Sequence, residues 1–82
     1  MKYLKLCGIS VYITVEVSED GESWERRYWT GLGLIDVLAS CFPRHYQELQ
    51  KSANGSLLTA ELVFRTFGYG YIFDKEYIPH TE

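Results

Sequence analysis

At 82 residues and 9.5 kDa, the chain is too short for a multidomain enzyme or a repeat array, and we expect residues 1–82 to form a single domain. Hydrophobic residues make up 46% and charged residues 23%, a balance typical of a globular protein and not of a disordered one. The net charge of −3 argues against a protein that binds nucleic acid mainly through positive charge. Aromatic residues, at 16%, are the one unusual feature, and large rings fill a thin core efficiently.

The N-terminal third begins with a pattern typical of a β-strand. Five β-branched residues alternate with mostly polar neighbours: Ile9, Val11, Ile13, Val15 and Val17. A period of two predicts a strand that buries one face, so these five residues are expected to point into the core. Leu4 and Leu6 lie on the opposite phase, and Gly8 at the switch predicts a bulge.

A hairpin turn is predicted at Asp20-Gly21, because this dipeptide suits a tight type I′ turn. Such a turn places Val17 opposite Trp24, and Tyr12 opposite Trp29. The face turned away from the core would then carry Tyr12, Thr14, Arg27 and Trp29. This register also sets two acids, Glu16 and Glu25, opposite each other, which is unfavourable.

Helical spacing follows the glycines at 31 and 33. Leu34, Leu38 and Cys41 form an apolar stripe, and Thr30 is a candidate N-cap. Pro43 ends or kinks this helix, while a further helical segment is predicted from Pro43 to about residue 52. Asn54-Gly55 is a stop signal. The sequence leaves open whether residues 43–52 form a separate helix.

The C-terminal third predicts a second hairpin. Residues 58–65 alternate as in a strand, although Leu57 to Leu62 also suits a helix. Gly68-Tyr69-Gly70 predicts a turn, and a last strand runs from about Tyr71 to Ile78, before Pro79. The predicted fold is therefore α+β: a four-stranded, mainly antiparallel sheet of two β-hairpins, with one kinked helix or two short helices between them, packed on one face.

Residues that could carry out catalysis or bind a metal are sparse. Cys41 and His45 are four residues apart, but Pro43 lies between them and zinc needs three or four converging ligands. We therefore expect no enzyme activity, no cofactor and no metal. Lys2 and Lys5 are not followed by a long apolar run, so no signal peptide or membrane span is predicted. We expect the two cysteines to be free thiols in a reducing cytoplasm.

Two surfaces are candidates for partner binding. The first is the sheet face turned away from the helices, where exposed rings and an arginine would act as anchors: Tyr12, Trp29, Arg27, Tyr69 and Tyr71. The second is the hairpin tip, in a stretch of five acids with no base, and its candidates are Glu19, Asp20 and Glu22. We expect a non-catalytic module that inhibits or regulates a larger protein by covering one of its surfaces. Phage and mobile-element inhibitors, such as anti-CRISPR proteins, offer an analogy of class.

Two other functions compete with this hypothesis. Single-stranded nucleic acid could stack on Tyr12, Trp29, Tyr69 and Tyr71, although the acidic net charge makes nucleic acid the weaker expectation. The same rings could instead be covered by a second copy of the chain in a homodimer with a structural or assembly role, since small domains often complete their cores in this way.

Overall fold

The computed structural model describes residues 1–77, which form four strands and three helices. Their bounds are β1 (Tyr3–Ile9), β2 (Ile13–Ser18), β3 (Glu25–Trp29), α1 (Gly31–Cys41), α2 (Pro43–Ala53), α3 (Ala60–Phe67) and β4 (Ile72–Asp74). The strands make one antiparallel sheet in the order β3-β2-β1-β4. The predicted α+β class and the four-stranded antiparallel sheet are confirmed. The element order is β-β-β-α-α-α-β, so three strands precede the helices and one follows them.

The long alternating segment is two strands and not one. β1 ends at Ile9, residues 10–12 form a tight turn, and β2 begins at Ile13, which pairs with Ile9. The prediction that Val11 faces the core is therefore wrong, because Val11 lies in the turn and is 88% exposed. The predicted bulge is confirmed: the β1–β2 register shifts between Leu6 and Gly8. This extra residue in β1 brings Ile9 onto the same side of the sheet as Leu4 and Leu6, although they have opposite phases in the sequence.

The β2–β3 register differs from the predicted one by a single residue. Val17 pairs with Glu25 and Ile13 pairs with Trp29, which turns every β3 side chain to the other face of the sheet. The new register places Arg26 opposite Glu16 and so removes the contact between two acids that the predicted register required.

A six-residue loop, and not a two-residue turn, sets this register. The Asp20 carboxylate accepts hydrogen bonds from the backbone N–H groups of Glu22 (2.8 Å) and Ser23 (2.9 Å). The Ser18 hydroxyl accepts one from the N–H of Gly21 (2.8 Å), whose φ of 82° favours glycine. The turn was predicted at the right place, but its side-chain hydrogen bonds make it longer than the dipeptide alone suggests.

The two predicted helical segments are present and separate. Phe42 lies between α1 and α2 with a non-helical backbone (φ −131°, ψ 62°), and Pro43 starts α2. The stop signal is confirmed, because Asn54 and Gly55 both adopt positive φ. Residues 43–53 thus form a helix of their own, which resolves the alternative that the sequence left open.

The predicted strand over residues 58–65 is wrong, because residues 60–67 form α3. Ala60, Val63 and Phe64 are buried with the three- and four-residue spacing of a helix face. The Thr59 hydroxyl accepts a hydrogen bond from the N–H of Leu62 (3.1 Å) and caps the helix. The last strand is also shorter than predicted, covering Ile72–Asp74. Ile78 and Pro79 of its predicted end lie outside the described residues.

One core lies between the inner sheet face and the helices. It includes the following buried hydrophobic residues: Leu4, Leu6, Ile13, Val15, Val17, Leu34, Leu38, Phe42, Leu49, Ala60, Val63, Phe64 and Phe73. His45 on α2 is buried beside them. The outer sheet face and the ends of the sheet remain open.

Candidate functional site: an apolar groove at one end of the sheet

The structure does not bring the predicted aromatic face together. Tyr12 is exposed in the β1–β2 turn, at the end of the sheet. Trp29 and Arg27 pair with Ile13 and Val15, whose side chains are buried, so they point to the helix side and not to the outer face. Trp29 packs against the core. Their predicted position on the outer face is wrong because of the one-residue difference in register.

The two C-terminal tyrosines of the predicted set also lie apart from each other. Tyr71 is half-buried, and its ring centroid lies 4.9 Å from that of Phe67 and 5.0 Å from that of Phe73. Tyr69 is exposed and packs against Phe64, with ring centroids 4.8 Å apart. Tyr71 therefore belongs to the core wall, whereas Tyr69 remains accessible.

Two of the three acids at the hairpin tip have structural contacts. The two backbone N–H groups on Asp20 lower the pKa of its carboxyl, with Ser23 as the largest cause. Glu19 forms an ion pair with the amino group of Met1. Glu22 is exposed. Asp20 thus shapes the loop, which accounts for its presence without any partner.

The outer sheet face carries charges that pair with one another. Glu16 lies 3.6 Å from the Lys5 ammonium and 3.9 Å from the Arg26 guanidinium. The Lys5 ammonium also sits 4.4 Å from the ring centroid of Trp24. Tyr28, on the same face, is exposed. Lys5 and Arg26 thus share the one carboxylate of Glu16.

The most exposed aliphatic side chains of the described residues gather around one groove. Val11 is 88% exposed, Leu57 85% and Leu32 78%. They line a concavity of about 420 Å³ at the end of the sheet. Its other lining residues are Ile9, Ser10, Ile13, Thr30, Gly31, Leu58, Thr59, Ala60 and Glu61. We call this concavity the end groove.

Three segments build the end groove, and two capped helix ends hold it in place. Val11 comes from the β1–β2 turn, Leu32 from the first turn of α1, and Leu57 from the loop that leads into α3. Thr30 caps α1 by accepting a hydrogen bond from the N–H of Gly33 (3.0 Å), as Thr59 caps α3. Such a cap stabilises a helix by about 1 kcal/mol. The caps therefore stabilise the helix ends that form one side of the groove.

Gly31 lies beside Ala60 in the lining of the end groove, where the first turns of α1 and α3 meet. A Cβ atom at this position would lie 3.5 Å from the Cβ of Ala60, an ordinary contact distance, so alanine would also fit. A longer side chain here would fill the space between α1 and α3.

Sequence reasoning missed the three rim residues of the end groove. It assigned Val11 to the core, and it passed over Leu32 and Leu57 because neither fits a buried stripe. A signal was available for two of them: each is a leucine two residues from a threonine N-cap, where a helix is only starting. An apolar side chain at such a place has little core to enter and remains exposed.

The end groove offers few groups for chemistry. Glu61 is the ionisable residue among those that line it, so the lining supplies no second ionisable group to pair with this carboxylate. Within residues 1–77, no three His, Cys, Asp or Glu side chains come together so as to hold a metal ion. No helix in this part of the chain is long and apolar enough to cross a membrane.

Comparisons with protein-family models, with curated proteins and with solved structures found no match to this chain.

Proposed function

We propose that this chain is a non-catalytic protein-binding module that docks onto a larger protein through the end groove. One observation carries the proposal: Val11, Leu32 and Leu57, three widely exposed aliphatic residues, surround a single concavity. Contiguous exposed apolar surface of this kind is typical of interaction sites. Capped helix ends fix the rim, so little conformational entropy is lost on binding.

The occupant that suits the groove is a pair of apolar side chains next to a lysine or arginine of the partner. A space of about 420 Å³ admits a few side chains. Glu61 at the rim favours a positive neighbour, and the net charge of −3 favours a basic partner surface.

We infer that the module acts as an inhibitor or regulator, by covering a surface of its target. The exposed Tyr12 and Tyr69 are candidates for additional contacts outside the groove. Cys7 and Cys41 are free thiols, in accordance with action in the reducing cytoplasm.

A double substitution at the rim tests the proposal. Leu32→Ser with Leu57→Ser is expected to weaken binding of a partner captured from the native host and then purified by at least about 100-fold, since an apolar anchor contributes about 1–2 kcal/mol or more. The free energy of unfolding should change little, because both side chains are exposed. Titration calorimetry measures the affinity, and urea unfolding measures the stability.

Tyr28→Ser is the matched control, because this exposed aromatic residue lies on the outer sheet face, away from the groove. It should bind the partner like the original protein. Equal affinity of the rim variant and the original chain would refute the proposal. Loss of binding in Tyr28→Ser alone would move the interface to the outer face.

A further inference from the structure

His45 is a buried titratable residue that the proposed function does not use. Its side chain projects from α2 into the core and is 1% exposed. Tyr77 stacks on the ring with centroids 4.1 Å apart and an interplanar angle of 20°. Phe73 meets it edge-on at 4.9 Å, and Tyr71 at 5.7 Å. The imidazole is thus one of the contacts that hold the residues after α3, alongside the pairing of β4 with β1 and the hydrogen bond from Tyr77 to Glu48 on α2.

The hydrogen bonds of His45 assign its protonation state. Nε2 accepts a hydrogen bond from the backbone N–H of Asp74 (3.3 Å), so this nitrogen carries no proton. A neutral ring then has its proton on Nδ1, which lies 3.4 Å from the hydroxyl oxygen of Tyr71. Since Asp74 ends β4, the neutral imidazole ties the last strand to α2.

Four titratable groups face the ring from the elements around it. Glu48 lies one turn further along α2, and the Tyr77 hydroxyl donates a hydrogen bond to its carboxylate (3.2 Å). The Asp74 carboxylate comes from β4 and accepts from the N–H of Glu76 (2.9 Å). Tyr71 completes the set. Burial lowers the pKa of His45, while the carboxylates of Glu48 and Asp74 oppose that shift in part.

We propose that His45 is a proton-operated latch that stabilises the closed arrangement of residues 71–77 while it is neutral and favours their opening when it is protonated. The incoming proton binds the Nε2 lone pair, which the Asp74 N–H occupies in the closed form. The protonated Nε2 and the Asp74 N–H are then both donors, 3.3 Å apart, and the charged ring lies among aromatic side chains. Both effects disfavour the closed form. Release of residues 71–77 lets the imidazolium reach water.

The direction of the pH dependence follows from linkage. The pKa of His45 in the closed form lies below its ordinary value of 6.5, which applies to the open form. Opening therefore takes up one proton between these two pKa values. The latch contributes its full stabilisation above about pH 6.5 and loses it as the pH falls from there toward the lower pKa of the closed form.

Amide hydrogen exchange followed by NMR tests the latch. The reporting amides are Asp74, Lys75, which donates to the carbonyl of Lys2, and Tyr77, which donates to that of Asp74. Their protection factors, corrected for intrinsic exchange, should fall as the pH drops below 6.5, by up to about tenfold per pH unit, and level off below the pKa of the closed form. The amides that join β2 to β3 should show no such fall over this range.

Variants of the two histidines separate the latch from general acid effects. His45→Phe keeps an aromatic ring but accepts no proton, so protection at residues 74–77 should be independent of pH in this window. His80→Asn is the matched control and should keep the tenfold dependence. Equal slopes in the original chain and His45→Phe would overturn the proposal.

The original chain supplies a second test in case His45→Phe does not fold. The ¹⁵N shift of His45 Nε2 reports its own titration, and protonation should follow the loss of protection at Asp74. A His45 pKa at or above 6.5 in the folded protein would overturn the proposal. The test involves no partner, so its result is independent of the end groove.

Discussion

Replacing Phe73 with alanine is expected to lower the free energy of unfolding by about 3–5 kcal/mol. Phe73 is fully buried in β4, opposite Leu4 of β1. Its ring centroid lies 4.8 Å from that of Phe67 and 5.8 Å from that of Phe42, so the variant leaves a cavity where strand and helices meet. The total stability of a domain of this size is about 4–12 kcal/mol, and the loss is a large share of it.

Urea unfolding measured by far-ultraviolet circular dichroism checks this expectation, with Ile72→Ala as the matched control. Ile72 is the neighbour of Phe73 in β4 but points to the outer face and is 45% exposed. Its replacement should cost about 1 kcal/mol or less. Similar losses in the two variants would contradict the placement of Phe73 at the centre of the core.

Arg65→Pro is expected to destabilise the protein by about 3 kcal/mol or more, although it removes only an exposed side chain. Residue 65 lies inside α3, where its N–H bonds to the carbonyl of residue 61. Proline has no such N–H, and its ring clashes with that carbonyl. Urea unfolding again gives the size of the loss.

Two control variants assign this loss to the helical backbone. Arg65→Ala removes the same side chain and should change stability by less than about 0.5 kcal/mol. Glu61→Pro places proline at the second position of α3, where the N–H has no helical partner, and should be tolerated. If proline cost the same at positions 61 and 65, α3 would not be the helix described.

The fold class could be predicted from the sequence because several of its elements are determined by local patterns. Alternating β-branched residues produced β2, Pro43 separated two helices, and Asn54-Gly55 ended the second. Each of these signals acts within a few residues, through backbone sterics or burial of one face. Such signals identify elements well.

The local sequence pattern does not determine the strand register or which side chains are exposed. The bulge after Leu6 and the side-chain hydrogen bonds of Asp20 each add one residue to a pairing, and one residue reverses a face. The shifted β2–β3 register explains why the predicted outer face for Trp29 and Arg27 is wrong. The predicted burial of Val11 is wrong for a different reason, since the turn at residues 10–12 interrupts the alternating segment. The end groove joins three segments that are distant in sequence, so its three-dimensional arrangement could not be inferred.

The sequence of α3 is compatible with both the two-residue spacing of a strand and the three- and four-residue spacing of a helix. Residues 58–65 alternate well enough for a strand, yet Ala60, Val63, Phe64 and Phe67 also form one helical stripe. The helix buries this stripe together with the aromatic residues around His45, whereas a strand would have to divide it between two faces. Tertiary packing therefore decides between the two, and sequence alone does not.

The strand order β3-β2-β1-β4 has a consequence for the route by which the chain folds. β1, β2 and β3 follow one another within 27 residues (3–29), so their pairing closes only short loops. β4 instead pairs Ile72 with Lys5, 67 positions earlier (72 minus 5), and must wait for the helices between them. We expect the meander to form early and β4 to dock last. In stopped-flow experiments, the cost of Phe73→Ala should therefore appear mainly as faster unfolding, with the refolding rate nearly unchanged.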